Sequence, residues 1–291
     1  MNCNLCPRKC NAKRLDNDNI GGFCQSGLLP KLARASLHFW EEPSISGKNG
    51  SGTVFFSGCS LSCIFCQNRE ISHLNKGKSV SVERLAEIFK ELENLGVHNI
   101  NLVNPTHYAL AIKSALDIYK PNVPIVYNSG GYDDVNTLKY LKDYIDIYLM
   151  DFKYFSMEKA KRYSAAENYP QIAMLALKEA YFQQPNCLFE NGIMKNGVIV
   201  RHLLLPQATN DAIKIFDFVK EKLPNAYFSL MAQYTPYGDA INDKVIGRKI
   251  TAREYEKVVN YILESQFENC YIQGLESSDE KYIPNFDLTG K

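Results

Sequence analysis

Three cysteines spaced Cys59-x-x-x-Cys63-x-x-Cys66 place three thiols on one short segment, close enough to hold three irons of a single cubane cluster. Zinc sites more often recruit four ligands in two pairs, and no fourth cysteine or histidine follows until His73. Three ligands on a four-iron cluster leave one iron open, and an open iron can bind a substrate or cofactor. A second group, Cys3, Cys6, Cys10 and Cys24, offers four soft ligands that a tetrahedral zinc or an auxiliary iron–sulfur cluster would both accept. Arg8, Lys9, Lys13 and Arg14 surround it, which reads as charge compensation, with a docking patch for an electron donor as the second reading. Cys187 and Cys270 stand apart and read as buried small hydrophobes.

The nine cysteines sit in a chain of 291 residues, 45% hydrophobic and 22% charged, the composition of a soluble globular protein. Tightly spaced thiols in a reducing compartment are metal ligands or redox groups more often than disulfides. With 33 Lys+Arg against 32 Asp+Glu, the formal charge of +1 argues against a nucleic-acid backbone or an anionic membrane as the main partner. No run approaches the roughly 18 apolar residues of a membrane span, and Met1-Asn2-Cys3-Asn4 lacks the order of a signal peptide. A cytoplasmic protein is the expectation.

The elements that must position these residues follow from the pattern along the chain. Residues 1–45 are polar, basic and Cys-rich, and read as a small metal-binding module; residues 46–291 read as the main body. The Ser/Gly-rich stretch from Pro43 to Gly52 reads as a linker. Thr53–Ser57 reads as a buried strand that delivers the three cysteines on the loop leaving it. Helical and strand patterns then alternate: helices over 79–95, 109–119, 134–144 and 157–183, strands over 97–103, 123–127, 145–150, 198–205 and 227–232. Such alternation implies right-handed crossovers and an α/β fold with a parallel sheet or barrel. Polar residues gather where strands end: Asn104, Thr106 and His107, Asn128 and Ser129, Asp151 with Lys153, Arg201 with His202, and Gln233. Carboxyl ends of parallel strands form the ligand face in barrels and open sheets alike.

The stretch Gly58-Cys59-Ser60-Leu61-Ser62-Cys63-Ile64-Phe65-Cys66-Gln67-Asn68-Arg69-Glu70 resembles the signature of the radical S-adenosylmethionine (SAM) superfamily. Within it, the chain is most similar to the pyruvate formate-lyase activating enzymes and their uncharacterised relatives, through Asp151-Phe152-Lys153 and Val200-Arg201 as well, over about residues 50 to 235. The resemblance implies a partial (β/α) barrel of about six parallel strands. It implies an oxidoreductase of anaerobic chemistry in which Cys59, Cys63 and Cys66 hold a 4Fe-4S cluster whose open iron chelates SAM. Reductive cleavage would then yield a 5′-deoxyadenosyl radical that abstracts a substrate hydrogen, from a protein glycine in a glycyl radical enzyme or from another peptide, with a small molecule as the alternative. A flavodoxin- or ferredoxin-like protein would be the electron donor. A different class, an iron–sulfur electron carrier or a zinc-stabilised binding module, stays open beside it.

By the same resemblance Phe65 lies near the adenine, Asp151 and Lys153 contact the cofactor from one side of their strand, and Arg201 pairs with the methionine carboxylate. Asn128 and Ser129 are ribose contacts, and Gln233 belongs to the same cofactor face. Where the family has a Gly-Gly-Glu run for the methionine amino group, this chain has Asn104-Pro105-Thr106-His107: Asn104 and Thr106 offer acceptors, and His107 is a candidate for substrate chemistry. The Asp-Gly-Pro-Gly run common in activating enzymes is replaced by Gly47-Lys48-Asn49-Gly50-Ser51-Gly52. Parity puts His202 on the face opposite Arg201.

Overall fold

The computed structural model describes residues 2–15, 21–275 and 286–291. In chain order the described elements are β1 (Lys31–His38), α1 (Pro43–Ser46), β2 (Ser51–Phe56), α2 (Arg69–Ser72), β3 (Lys78–Ser79), α3 (Val82–Glu93), β4 (Ile100–Val103), α4 (Ala109–Ile118) and β5 (Ile125–Ser129). There follow α5 (Val135–Leu141), β6 (Ile147–Asp151), α6 (Met157–Ser164), α7 (Tyr169–Gln183), β7 (Leu188–Glu190), β8 (Ile193–Leu203), α8 (Thr209–Lys222), β9 (Tyr227–Met231), α9 (Ala252–Glu264) and β10 (Cys270–Ile272).

Strands β2, β4, β5, β6, β8 and β9 pair in parallel, each with the next. These are the six strands expected from the alternation, and the fold is α/β with a mostly parallel sheet. β10 extends it in parallel beside β9, while β1 lies antiparallel to β2 and carries β3 on its outer edge. The sheet thus begins at Lys31. The helical pattern over 157–183 is two helices: Ala165 ends α6 in the left-handed region (φ 51°), and Pro170, tolerated only in a first turn, opens α7.

Alternate residues divide the sheet between two faces. Val54, Phe56, Ile100 and Leu102 point to the helices and pack with Leu85, Ile88, Phe89 and Leu92 of α3 in the main core. The other face is covered differently. Pro43–Gly52 is not a free linker: α1 lies on that face, with Ile45 fully buried among Val126, Ile147, Leu149, Met194 and Ile199, and Asn99 Nδ2 donates to Ile45 O at 2.8 Å. Strands set about 4.8 Å apart in a flat sheet would spread β1 to β9 over about 29 Å. Yet His38 of β1, Phe55 of β2, Val103 of β4, Asn128 of β5, Arg201 of β8 and Met231 of β9 line one cavity of about 150 Å³. The sheet is therefore curled, in keeping with a partial barrel, and that curl brings distant strand ends to one mouth.

Candidate functional site

The cysteine loop leaves β2 through Gly58, which has φ 85° and where a Cβ would stand 2.4 Å from Cys24 O and 2.5 Å from Ser26 Oγ. Both the backbone angle and the close approach demand glycine. Beyond it Leu61 N donates to Cys59 Sγ at 3.3 Å, Cys63 Sγ lies 2.9 Å from Ser164 Oγ, and Cys66 Sγ lies 3.2 Å from Ser72 Oγ. Asn104, held in the left-handed region with φ 60°, donates from Nδ2 to Gly58 O at 2.5 Å, and Cys59 Sγ is 3.8 Å from its Oδ1. The three thiols line a cavity of about 150 Å³ together with Asn104, Ser129, Asp151, Lys153 and Arg201.

These thiols are desolvated. Burial, with the neighbouring thiols adding, pushes Cys59 up to about 12, and burial takes Cys63 to about 11 against the pull of Lys153. Only a strong local cation ionises such groups, and a coordinated metal does so outright. Among the described residues no group of three or more His, Cys, Asp or Glu side chains is arranged for a single metal ion. Ligands to different irons of one cluster need not converge on a point, so the donor set, its loop and its cavity fit an iron–sulfur cluster.

Opposite the thiols runs a charged bridge. Lys153 Nζ reaches Asp151 Oδ2 at 2.5 Å, as the two-residue spacing predicts, and Arg201 Nε reaches Asp151 Oδ1 at 2.9 Å. Burial alone would raise the Asp151 pKa, but the Arg201 and Lys153 cations outweigh it and hold the carboxyl below its usual range. Arg201 also donates from Nη1 to Glu41 Oε2 at 3.0 Å and from Nη2 to Asn128 Oδ1 at 2.7 Å, so all three of its nitrogens are engaged within the chain. Phe65 and Gln233 line a further cavity of about 220 Å³ that shares Cys66, Asp151, Lys153 and Arg201 with the first.

Other expected residues are placed elsewhere. Thr106 donates to Asp133, which also accepts from Tyr127 Oη at 2.8 Å and from Ser129 Oγ at 2.5 Å. His107 is fully buried behind the cysteine loop, with Nε2 2.7 Å from Ser57 O, and desolvation drops its pKa to about 3. His202, as parity indicates, faces away from Arg201 and bonds Phe152 O through Nδ1 at 2.7 Å.

The N-terminal cysteines dock against the same loop. A bridge between Asn2 and Lys13 closes the first turn, and Cys3, Cys6 and Cys24 are buried while Cys10 is exposed. Burial pushes the Cys6 thiol to about 12, and the other three thiols stand near enough to add to the rise. Three of the basic residues reach the main body, while Lys13 is exposed: Arg8 Nε donates to Ser60 O at 2.8 Å, Lys9 pairs with Asp134 at 2.7 Å, and Arg14 bonds both Cys24 Sγ, at 3.2 Å, and His107 O. They fasten the segment to the main body.

A family model described as the Radical SAM superfamily matches residues 53–219, more than half of the chain. The chain belongs to the radical SAM superfamily. Membership implies a 4Fe-4S cluster and SAM, and Cys59, Cys63 and Cys66 are the residues whose placement fits the cluster. Over 267 residues the chain is 32% identical to an uncharacterised protein of Methanocaldococcus jannaschii, covering 89% of this chain and 73% of that one. Two structures of Streptococcus suis SuiB, one bound to the precursor peptide SuiA and one bound to S-adenosylmethionine, share the fold with TM-scores of 0.52 and 0.51 at 17% identity. They cover 74% of this radical SAM chain, which spans only 46% and 48% of theirs. Among the described residues no helix is long and apolar enough to cross a membrane.

Three residues at or behind the radical SAM mouth escaped the sequence pattern: Glu41 and Glu42, which line it, and Asp133, which takes the Ser129 hydroxyl from behind. Glu41 and Glu42 carry no spacing signal and sit just ahead of the stretch that reads as a linker. Asp133 stands beside Asp134, which caps α5 by accepting from Asn136 N at 2.9 Å, so the pair looks like ordinary cap chemistry.

Proposed function

We propose that this radical SAM chain holds a 4Fe-4S cluster through Cys59, Cys63 and Cys66 and modifies a peptide or protein, with a protein glycine as one candidate target. The carrying observation is the three-thiol loop opening onto the Asp151–Lys153–Arg201 bridge at the strand ends of the curled sheet. Once bound, the cluster and SAM supply a one-electron cleavage that yields methionine and a 5′-deoxyadenosyl radical able to take a hydrogen atom from substrate.

The chain's own residues bind, orient and exclude water. Asn104 fixes the exit of the loop through Gly58 O, and Leu61 and Ile71 wall its cavity on the apolar side. Phe65, in a T-shaped contact with Tyr234 at 5.8 Å between ring centroids, lines the neighbouring cavity and would stand near the adenine. Lys153 and Arg201 are fixed by Asp151 before any ligand arrives, so an anionic group of the cofactor meets preorganised donors. Ser129 and Asn128 stand at the same rim and suit the ribose, and Gln233 extends the polar wall. Cys3, Cys6, Cys10 and Cys24 form the donor set for a second metal, iron–sulfur or zinc, in an N-terminal module that abuts the cysteine loop. A peptide substrate is supported by the shared fold with a protein whose structure holds a precursor peptide. A flavodoxin- or ferredoxin-like donor in an anaerobic cytoplasm would supply the electron.

Anaerobically reconstituted and reduced, the protein should convert SAM to 5′-deoxyadenosine and methionine, and Cys59→Ala, Cys63→Ala and Cys66→Ala should each abolish this. Full cleavage by the three variants would overturn the reading. A glycyl radical signal in a co-incubated partner separates the activating role from modification of another peptide. Iron, sulfide and zinc content, compared with a variant lacking Cys3, Cys6, Cys10 and Cys24, tests the second site.

A further inference from the structure

The cavity lined by His38, Glu41, Glu42, Arg201, Gln233 and Gln273 lies across Arg201 from the cysteines; Arg201, Asn68 and Asn128 belong to both walls. Charges on the shared wall cancel: Arg201 and Lys153 are matched by Asp151 and Glu41. Glu41 is fully occupied, since its second oxygen accepts from Asn101 Nδ2 at 2.9 Å and Asn128 Nδ2 at 3.0 Å. Glu42 is left over. It is 6% exposed, lines the cavity, and its Oε2 has no hydrogen-bond partner among the described residues.

It does not stand alone in this. Asn101 Oδ1 and Gln273 Oε1 are likewise buried without a partner, the first on the side chain bonded to Glu41, the second on a residue of the cavity wall. Buried polar atoms are ordinarily satisfied, so two open acceptors on the wall of one small space, Glu42 Oε2 and Gln273 Oε1, call for donors that can enter it. Burial, reinforced by Glu41, raises the Glu42 carboxyl above its ordinary range against the opposing Arg201 cation and the Ser229 hydroxyl, with Oε2 the open oxygen. Burial lowers the pKa of His38 on the same wall, against the pull of Glu41.

We propose that this cavity seats a protonated amine or guanidinium group of the substrate, with the Glu42 carboxylate as its partner and the Gln273 oxygen as a further acceptor. A neutral polar group, or water, would leave Glu42 favoured as the uncharged acid, whereas a donor-rich cation both fills the acceptors and pairs with the ionised carboxylate. The cavity, about 150 Å³, has room for a side-chain-sized head and not for a whole peptide. The assignment of this cation to a substrate rests on the radical SAM reading of the mouth; its chemistry rests on Glu42.

Trp40 lines the cavity and is the chain's single tryptophan, so its fluorescence reports occupancy. The 291-residue protein is titrated with the N-acetyl methylamides of lysine, arginine and norleucine. A charge-assisted bond in a buried seat should favour one or both cations over norleucine by about tenfold or more. Preference for lysine marks an ammonium seat and preference for arginine a guanidinium seat. Glu42→Gln should erase the preference, while Glu221→Gln at the surface keeps it. Equal affinity for all three probes, or a preference undiminished in Glu42→Gln, overturns the proposal; if that variant fails to fold, Glu42→Ala with the same three probes decides on the same terms. SAM cleavage by the wild type is scored separately. Its absence would sink the radical reading and leave a cation preference standing, whereas unselective binding would sink the seat and leave cleavage standing.

Discussion

Glu41 and Arg201 stand 160 positions apart, and Glu41 Oε2 accepts a hydrogen bond from Arg201 Nη1 at 3.0 Å. Because the other Glu41 oxygen takes the Asn101 and Asn128 amides, one carboxylate from the segment ahead of β2 ties together β4, β5 and β8. The shape of the radical SAM mouth is therefore set partly by a residue outside the family-matched span of 53–219. The same contact orients the arginine that walls both the cysteine cavity and the cavity around Glu42.

Glu41→Ala is expected to destabilise the fold by about 3 kcal/mol, the scale for removing one partner of a buried ion pair. The pair is well enclosed, at 9% side-chain exposure for Glu41 and 14% for Arg201, so solvent screening does little to soften the loss. Glu41→Gln keeps an acceptor for the amides and should cost less. Urea midpoints measure both; a cost below about 0.5 kcal/mol for the alanine variant would mean that the pair behaves as a surface bridge.

Asp133 receives three side-chain donors, from Thr106, Tyr127 and Ser129, in a fully enclosed position. Asp133→Ala takes the shared acceptor from Thr106 and Ser129 and leaves Tyr127 only Thr106 Oγ1 at 3.0 Å, and a loss of about 2–4 kcal/mol is expected, since a bond to a charged group carries about 1.5–3 kcal/mol and the bonds are not additive. Asp133→Asn retains volume but turns one acceptor into a donor facing donors, so it should fall in between. Thermal melts of the two variants give the order, and a neutral Asp133→Ala would show that the hydroxyls find other partners.

What could be read from the residues is divided by physical range. Cys59, Cys63 and Cys66 declare themselves because ligand spacing is local, and Asp151 with Lys153 because they are two residues apart: Lys153 lies past the end of β6, yet its Nζ meets Asp151 Oδ2 at 2.5 Å. Glu41 and Glu42 could not be read that way. Two acids ahead of Pro43 look like a solvated lead-in to a turn, and only the curl of the sheet brings them under Arg201. β1 was hidden for a related reason, since its alternation sits inside a Cys-rich, basic neighbourhood and its partner, β2, is a tertiary choice. Arg8, Lys9 and Arg14 read as compensation for thiolates, and Arg14 does donate to Cys24 Sγ; what spacing did not show is that Ser60 O, Asp134 and His107 O on the main body also take these cations.

Gly58→Ala should loosen the N-terminal segment from the cysteine loop. The added methyl would meet Cys24 O at 2.4 Å, and the φ of 85° disfavours any L side chain, so either Cys24 or Gly58 must move. Hydrogen exchange over residues 21–27 should rise well above wild type, and any metal held by Cys3, Cys6, Cys10 and Cys24 should be lost more readily to a chelator than iron held by the loop cysteines. Unchanged exchange over 21–27 would show that the two segments separate at no cost.

His202 makes the fold sensitive to mild acid. Burial, only partly offset by the Phe152 carbonyl and Asp211, drops its pKa from 6.5 to about 4. The unfolded chain takes up the proton near pH 6.5 and the folded chain only near 4, so in that window the unfolded state binds more protons. The stabilising contribution is complete above the upper value, falls as pH falls, and reaches its limit near the lower one. At about 1.4 kcal/mol per pKa unit, the loss is up to about 3 kcal/mol. His202→Asn keeps a donor for Phe152 O in place of Nδ1 and cannot titrate, so its stability should decline less than the wild type's between pH 6.5 and 4. His107, shifted the same way, leaves a residual slope in both proteins. Urea unfolding at a series of pH values gives the two slopes, and identical slopes would place the acid sensitivity on other groups.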